Sequence, residues 1–542
     1  MSCPYVIFIS CSQADSTLPR KLLRKLHGKK VIDYAVSLAK SLAAPNRIIV
    51  LADDEEFELL HKEHGIHVHL FKTIPSGFND PAVLDLLQAN CRELGKPSHV
   101  IWLSSNSPLL SLQSVKDGIS SLISSKAAAV YTLSEAPECS WEYTDTYQPY
   151  FRRKENNQHN PLHREVSGFF IMDISSIGHE GYMGQKAIPY LLKNHEALEI
   201  NTPYDFWVAE KLLAKRKIIF VVAAYPEIGL GHVYRVLSIA HELIGHEIQL
   251  IFTAESEHFV NLAVGQGYQV VVQPKDSPLA DFVLSQSPDV VINDLLNTSL
   301  DYIQTLKTAG VSVINFEDQG EGAKFADLVI NALYGEALHE NVVIGPDYFD
   351  LRDEFINHPP VSIREQVGRV LITFGGADHR DLTLFAIKSL LPVAKKIDFK
   401  LCVVTGAIYE HANNLKRYLD NLPEGEKSLV EWSGQSTKKM SHYMAISDLA
   451  ITSAGRTVYE LAALHLPAIV IASNDRETTH VFSREAGFLY LGRFDQVFES
   501  ELIRAVKQLL PIAGRDQIRH KLAKIKLGNG LQNIVNKLEA LI

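Results

Sequence analysis

Cysteine is scarce and scattered. The five cysteines (Cys3, Cys11, Cys91, Cys139, Cys402) include no C-x-x-C pair, which excludes a zinc ribbon and a disulfide framework. Their odd count in a chain of this size points to reduced thiols and a cytoplasmic home. Long apolar runs are also missing, and none approaches the roughly 18 residues that span a membrane. The opening MSCPYVIFISCS has no basic flank, so it reads as a first strand rather than a signal peptide. Positive charge is not in excess. A net charge of −10 argues against nonspecific binding to DNA or to an acidic membrane, while leaving room for a local basic pocket for phosphates. There is no low-complexity tract and no short repeat.

What is present is an ordinary globular composition, 46% hydrophobic and 21% charged. At 542 residues the chain is too long for one core. Its first part alternates strands and helices: Tyr5–Ser10, Val31–Leu42, Arg47–Ala52, Phe57–His64, His67–Phe71, Pro81–Leu94, His99–Leu103, Ser114–Ser124 and Ala128–Leu133. This rhythm implies α/β architecture with a mostly parallel sheet. The polar and aromatic stretch 140–165 breaks it and reads as an excursion or dimerisation arm. A strand at Gly168–Met172 and a helix at Tyr204–Ala214 complete a domain over residues 1–215.

The pattern then restarts. A buried strand, Ile218 to Ala224, runs into Gly229-Leu-Gly231-His232 and an amphipathic helix. Strand, glycine loop and helix N-terminus make a site for anionic groups, because unpaired N–H groups point at the ligand. Further strands at Ile248–Thr253, Gln269–Val272, Val290–Asn293 and Val311–Phe316 give a first lobe over 216–366. Strands at Val370–Phe374, Lys400–Val404, Leu449–Thr452 and Ala468–Ile471 give a second lobe over 367–542, the lobe that the resemblance given below implies binds UDP. The proline-bearing segment His358–Gly368 suits the linker between them.

Polar residues gather at strand ends, where α/β proteins build sites. His232 opens its helix, where the dipole disfavours the imidazolium; a neutral ring there serves as a general base, or alternatively contacts a phosphate or caps the turn. Asp294 ends VVIND, and Glu317-Asp318 ends VINFED. Gly375, Gly376 and Asp378 follow VLITF. Ser453, Ala454, Gly455 and Thr457 follow LAITS as a second anion loop, and Glu460 stands one turn on, placed for ribose hydroxyls or simply as a helix-start acid. In the first domain, the loop Ser10–Leu23 mixes small residues with Arg20 and Lys21, which suits phosphates and equally suits a solvated basic turn.

Two resemblances follow from these residues. Ser16-Thr17-Leu18-Pro19 with Lys21, then Gly28-Lys29-Lys30-Val31, Ser105–Leu109, Ser167-Gly168 and Asn201–Asp205 resemble, in order, the motifs of acylneuraminate (sialic acid type) cytidylyltransferases. That resemblance implies a nucleotidyltransferase fold, CTP contacts at Ser12, Ser16, Lys21 and Ser107, and Mg²⁺ held by Glu199 and Asp205. The sequence departs from the motif with Ser12 for an arginine, Ala14 for a glycine and Asn201 for a carboxylate. An amide oxygen carries no charge to balance Mg²⁺, so a divergent enzyme and a nucleotide-binding or dimerising remnant both remain open. A homodimer through this domain is expected.

The second resemblance spans about Lys217 to Leu491. Gly229–Arg235 (G-x-G-H-x-x-R), Asn293-Asp294, Phe316–Asp318, Asn331–Tyr334, Gly345–Glu354, Phe374–Asp378, Ser453–Glu460 and Asn474–His480 are similar to the UDP-2,4-diacetamido-2,4,6-trideoxy-β-L-altropyranose hydrolases of pseudaminic acid synthesis and to the spore-coat polysaccharide G proteins. These share a two-lobed glycosyltransferase (GT-B) fold. The resemblance implies that water attacks a UDP-sugar, with His232 and Asp294 as the catalytic pair and no metal. Gly229, Gly231, Arg235, Gly375, Gly376, Asp378, Ser453, Ala454, Gly455, Thr457, Glu460 and Asn474 would hold the substrate. Leu295-Leu296 stands where the family has an aromatic or histidine. A bifunctional protein of nonulosonic acid synthesis is the reading; a GT-B glycosyltransferase passing the sugar to an acceptor is the alternative.

Overall fold

The computed structural model describes the chain outside residues 1–4, 13–16, 76, 79, 137–140, 144–146, 150–161, 178–186, 194, 225–230, 407–408 and 434–438. Ser16, Gly229 and most of the 140–165 stretch therefore lie outside the described residues. The chain divides into two compact α/β units, Met1–Lys215 and Arg216–Ile542.

The first unit is built on a seven-stranded sheet. Its order is Ala187–Leu191, Ala129–Ala136, Leu162–Asp173, His99–Ser104, Tyr5–Cys11, Ile48–Ala52, His67–Leu70. The strand Leu162–Asp173 runs antiparallel to both neighbours and the other pairings are parallel. The edge strand Ala187–Leu191 has no counterpart in the sequence reading. It carries Pro189, which an edge tolerates and a central strand does not. The central strands are continuous apolar runs, as sheets covered on both faces require. The helix Pro203–Leu213 begins with a proline and a capping box in which Thr202 and Asp205 satisfy each other's backbone N–H.

The second unit has two sheets with the same strand order. In the first lobe, Lys217–Val222, Glu247–Phe252, Gln269–Val272, Val290–Asp294, Ser312–Phe316, Leu328–Asn331 and Val342–Ile344 pair in the order third, second, first, fourth to seventh, all parallel. In the second lobe, Arg369–Thr373, Lys400–Val404, Val430–Ser433, Leu449–Ser453, Ala468–Ala472 and Leu489–Arg493 repeat third, second, first, fourth, fifth, sixth. That is the doubly wound dinucleotide-fold order, which reverses beside its first strand and leaves a crevice there. Of the four strands of this unit that the sequence reading missed, three (Val342–Ile344, Val430–Ser433, Leu489–Arg493) are sheet edges, where half-burial weakens the apolar signal.

The lobe boundary differs from the sequence reading. Ala332, Leu333, Tyr334, Phe349, Leu351 and Phe355 pack into the second lobe's core, ahead of residue 367. The helix Gly530–Glu539 returns to the first lobe, burying Ile534, Val535 and Leu538 against Ile218 and Phe220. Gly530 permits this return: a β-carbon there would lie 1.9 Å from the Phe349 carbonyl oxygen. Each lobe thus owns part of the other's chain, which ties the two sides of the cleft together.

Candidate functional site

Between the lobes of the second unit lies a cavity of about 1020 Å³. His232 enters it from the helix Gly231–Glu242 of the first lobe. Its Nδ1 is hydrogen-bonded to Asp294 Oδ1. Asp294 is fully buried at the end of its strand, and also accepts from Arg235, Nε to Oδ2 at 2.8 Å and Nη2 to Oδ1 at 2.7 Å. Burial alone would raise the Asp294 carboxyl. The Arg235 guanidinium, helped by His232, overrides it and holds Asp294 well below the usual carboxylate range. A carboxylate accepting from Nδ1 fixes the imidazole so that Nε2 is the nitrogen left to take a proton. Asp294 does not itself line the cavity and meets it only through the His232 ring and the Arg235 guanidinium.

Arg235 lines the cavity as well, and its guanidinium is also engaged within the protein. It is 3% exposed, donates to Glu317 at 3.2 Å as well as to Asp294, and stacks 5.0 Å from the Phe316 ring. Burial would depress its guanidinium, and the two carboxylates push it up instead. Its charge is balanced inside the protein.

Gly375, Gly376, Ser453, Gly455, Thr457, Glu460 and Asn474 line the cavity together with Gly231 and His232. Gly375 has φ of 79°, the left-handed region that glycine occupies without strain. Three of the expected substrate contacts also make hydrogen bonds within the protein. Asp378 lines the cavity, but its carboxylate accepts from Leu382 N at 2.9 Å and Thr383 N at 2.8 Å, so it caps the helix Leu382–Ile397. Ala454 gives its N–H to Glu477 Oε2 at 3.2 Å, and its carbonyl accepts from His480 Nδ1 at 2.8 Å. Asn474 caps the short helix Asp475–Thr479, accepting from Glu477 N at 2.9 Å. Glu460 shares Oε1 with Arg352 at 2.8 Å.

Several residues of the site were not singled out from the sequence. Arg456 reaches across the cleft, pairs with Asp350 at 2.7 Å, and stacks 4.5 Å from Phe349. Phe349, Tyr459 and Phe482 continue as a face-to-face column at 3.9 and 3.8 Å. Arg476 bridges the lobes by donating to the Glu317 carbonyl and to Asn297 Oδ1 at 3.3 Å. Glu477 is held under the Ser453–Thr457 loop by Ser473 N at 2.7 Å, and burial pushes its carboxyl up. The signal available was their place inside the GPDYFDLRDE, SAGRTVYE and NDRETTH stretches.

In the first unit, Ser12, Lys21, Ser107, Glu199 and Asp205 lie around the carboxyl ends of the parallel strands Tyr5–Cys11 and His99–Ser104. Ser12 donates to Asp53 at 2.7 Å, and Ser107 is buried. Lys21 is buried, and its Nζ donates to Asn201 Oδ1 at 3.3 Å. Burial lowers the ammonium's pKa, and the fields of Glu199 and Asp205 pull it partly back. This set does not fit Mg²⁺. Asp205 Oδ2 takes three donors, Asn201 N, Thr202 N and Thr202 Oγ1, at 2.7–3.0 Å, and Glu199 Oε1 takes Ser167 N at 2.5 Å. The Asn201 amide oxygen faces a lysine cation, so a divalent ion would meet a like charge there, and at Asp205 Oδ2 and Glu199 Oε1 oxygens that already accept hydrogen bonds.

No protein-family model matches the chain. An uncharacterized protein of Methanocaldococcus jannaschii is 29% identical over 276 residues, 48% of this chain and 56% of that protein, so the chain spans little more than half of that relative. The spore coat polysaccharide biosynthesis protein SpsG of Bacillus subtilis is 24% identical over 309 residues, 54% of this chain and 88% of that protein. Among solved structures, MurG of Acinetobacter baumannii covers 60% of this chain at a TM-score of 0.44 and 14% identity, and 99% of MurG is matched. A CMP:2-keto-3-deoxy-manno-octonic acid synthetase complexed with CTP covers 39% at a TM-score of 0.29 and 13% identity, with 98% of that chain matched. Scores this low leave the fold to be read from the sheet orders above, and the likeness to SpsG stands as a 24% identity over 54% of this chain.

Proposed function

We propose that the unit Arg216–Ile542 hydrolyses a UDP-linked diacetamido-trideoxy sugar. The observation that carries the reading is the buried Arg235–Asp294–His232 relay, which presents one imidazole nitrogen to an inter-lobe cavity. In the proposed step, His232 Nε2 takes a proton from water as the water oxygen bonds to the anomeric carbon. The bond from that carbon to the phosphate oxygen breaks, and UDP leaves with the electron pair. Cationic side chains lining the cavity, Arg456, Arg476 and Arg380, suit a diphosphate leaving group. The name of the Bacillus relative, spore coat polysaccharide biosynthesis protein, is consistent with nucleotide-sugar chemistry. No metal is required for this step.

A second reading, transfer of the sugar to an acceptor hydroxyl, draws on the cavity's size. At about 1020 Å³ it sits at the top of the range of small-ligand sites, roughly 300–1,000 Å³, and has space for a second substrate. Release of UDP in the absence of any acceptor separates the two: hydrolysis proceeds, transfer does not.

For Met1–Lys215 the donor set favours a nucleotide-binding or dimerising module over a metal-dependent cytidylyltransferase. Lys21 supplies a resident positive charge for a nucleotide phosphate, beside a carboxylate, Asp205, committed to its helix. Binding of CTP to the whole chain, with and without a chelator, tests this.

A further inference from the structure

Among the described residues, four side chains that line the cleft, Glu317, His379, Arg456 and His480, have a buried polar atom without a hydrogen-bond partner, and Glu317 and His480 are a pair drawn from opposite lobes. Glu317 is 2% exposed and His480 is 7% exposed, and both line the cavity. Glu317 Oε1 accepts from Arg235 Nη1 at 3.2 Å and from Ala332 N at 3.2 Å, while Oε2 is buried without a partner. His480 Nδ1 lies 2.8 Å from the Ala454 carbonyl, and Nε2 is buried without a partner. A carbonyl only accepts, so the proton is on Nδ1 and Nε2 carries a lone pair. Leaving such atoms unpaired is costly, and each instance in a native fold calls for a partner from outside.

Their setting fits a ligand rather than a defect. Glu317 has φ of 51°, a strained region for a residue with a β-carbon, of the kind that persists at functional sites. It is joined through Arg235 and Asp294 to His232, so it belongs to the same rigid network as the base. Its neighbour Asp318 shows the contrast: that carboxylate is fully satisfied by Thr298, Asn315 and Gly320. His480 comes from the other lobe and is fixed by a bridge and an edge-on ring contact, 5.3 Å between centroids, with Tyr334. Arg476, bonded to the Glu317 carbonyl, closes the seam between them.

We propose that Glu317 Oε2 and His480 Nε2 form an acceptor subsite that recognises hydroxyl or N–H donors on the sugar of a bound nucleotide sugar. The proposal rests on the reading of the cleft as a UDP-sugar site. Two acceptors from opposite lobes reward a sugar that spans the seam, and the nucleotide does not contribute to that reward. A group with no donor, placed there, leaves both atoms unpaired, the situation in which binding sites discriminate most sharply.

The test is the ratio of the Kd for UDP to the Kd for the best-bound of UDP-glucose, UDP-galactose and UDP-N-acetylglucosamine, measured by titration calorimetry on the full chain. Taking this ratio removes any general effect of a substitution on the nucleotide site. The intact chain is expected to favour a sugar about tenfold, the worth of one good hydrogen bond. Glu317→Gln keeps an oxygen for Arg235 but turns the other acceptor into a donor, and His480→Phe keeps a ring and removes the lone pair. Each is expected to bring the ratio to about one. A ratio of one in the intact chain overturns the subsite, as does a tenfold ratio that survives both substitutions. If UDP itself does not bind the intact chain, the UDP-sugar reading falls first and the subsite with it.

Discussion

Gly231 and Arg456 meet across the cleft: a β-carbon on Gly231 would lie 2.9 Å from Arg456 Cδ. That carbon is mid-chain, and the guanidinium beyond it is pinned by Asp350 and Phe349. Glycine at 231 is therefore required by the opposite lobe. Gly231→Ala is expected to displace Arg456, cost about 1–3 kcal/mol in unfolding free energy, and weaken UDP binding at least severalfold. Denaturant titration and calorimetry check the two effects together.

Asp294 and His232 separate positioning from chemistry. His232→Ala is expected to stop turnover while UDP still binds. Asp294→Asn leaves the ring in place but deprives Nδ1 of its carboxylate, and turnover is expected to fall about 10²–10⁴-fold. It also leaves Arg235 short of a buried counter-charge, so the chain loses about 3–5 kcal/mol of stability, which His232→Ala does not. Steady-state kinetics beside urea midpoints distinguish the two variants.

His480 gives the second unit a pH signature. Burial, aided by Arg476 and Arg484 and only partly countered by the Ala454 carbonyl, lowers its pKa to about 4. A histidine depressed below its unfolded value of about 6.5 contributes stability that is fully present above pH 6.5 and is lost as pH falls toward 4. Between pH 6.5 and 5 this amounts to about 2 kcal/mol. Asp378, Glu317 and Glu477 are shifted upward and act in the opposite sense, so the comparison has to be made between the intact chain and His480→Phe. The fall in unfolding free energy over that window is expected to be smaller in the variant.

The first unit is expected to bind CTP with the same affinity in chelator as in millimolar Mg²⁺. Lys21→Met removes the cation beside Asn201 and is expected to weaken binding about tenfold or more. A chelator that abolishes CTP binding would restore the metal-dependent reading of Glu199 and Asp205.

Much of this architecture is legible in the chain because buried parallel strands are uninterrupted apolar runs. KIIFVV and LAITS announce themselves, and so does the helix that His232 opens. The edge strands do not: AIPYL and VEWS are half-exposed and carry no periodic contrast. Site residues at strand ends were found where strand and loop adjoin, as with His232 and Asp294. What could not be read was commitment. That Arg235 also pairs with buried carboxylates and Asp378 with backbone N–H groups depends on partners 4 to 82 residues away. Glu317 reads in the sequence as a strand-end polar residue, whereas Arg456 and His480 are recognised as site residues only from the cavity between the two lobes. The lobe boundary failed for a related reason: Gly530–Glu539 is an unremarkable amphipathic helix until Phe349 is known to sit under Gly530.

The most direct test is UDP release from UDP-2,4-diacetamido-2,4,6-trideoxy-β-L-altropyranose by the intact chain, with no acceptor and no added metal. The account expects turnover of that sugar nucleotide in the intact chain and none in His232→Ala, with UDP binding retained in both. Tight UDP binding without release in the intact chain, or release that survives His232→Ala, would contradict it.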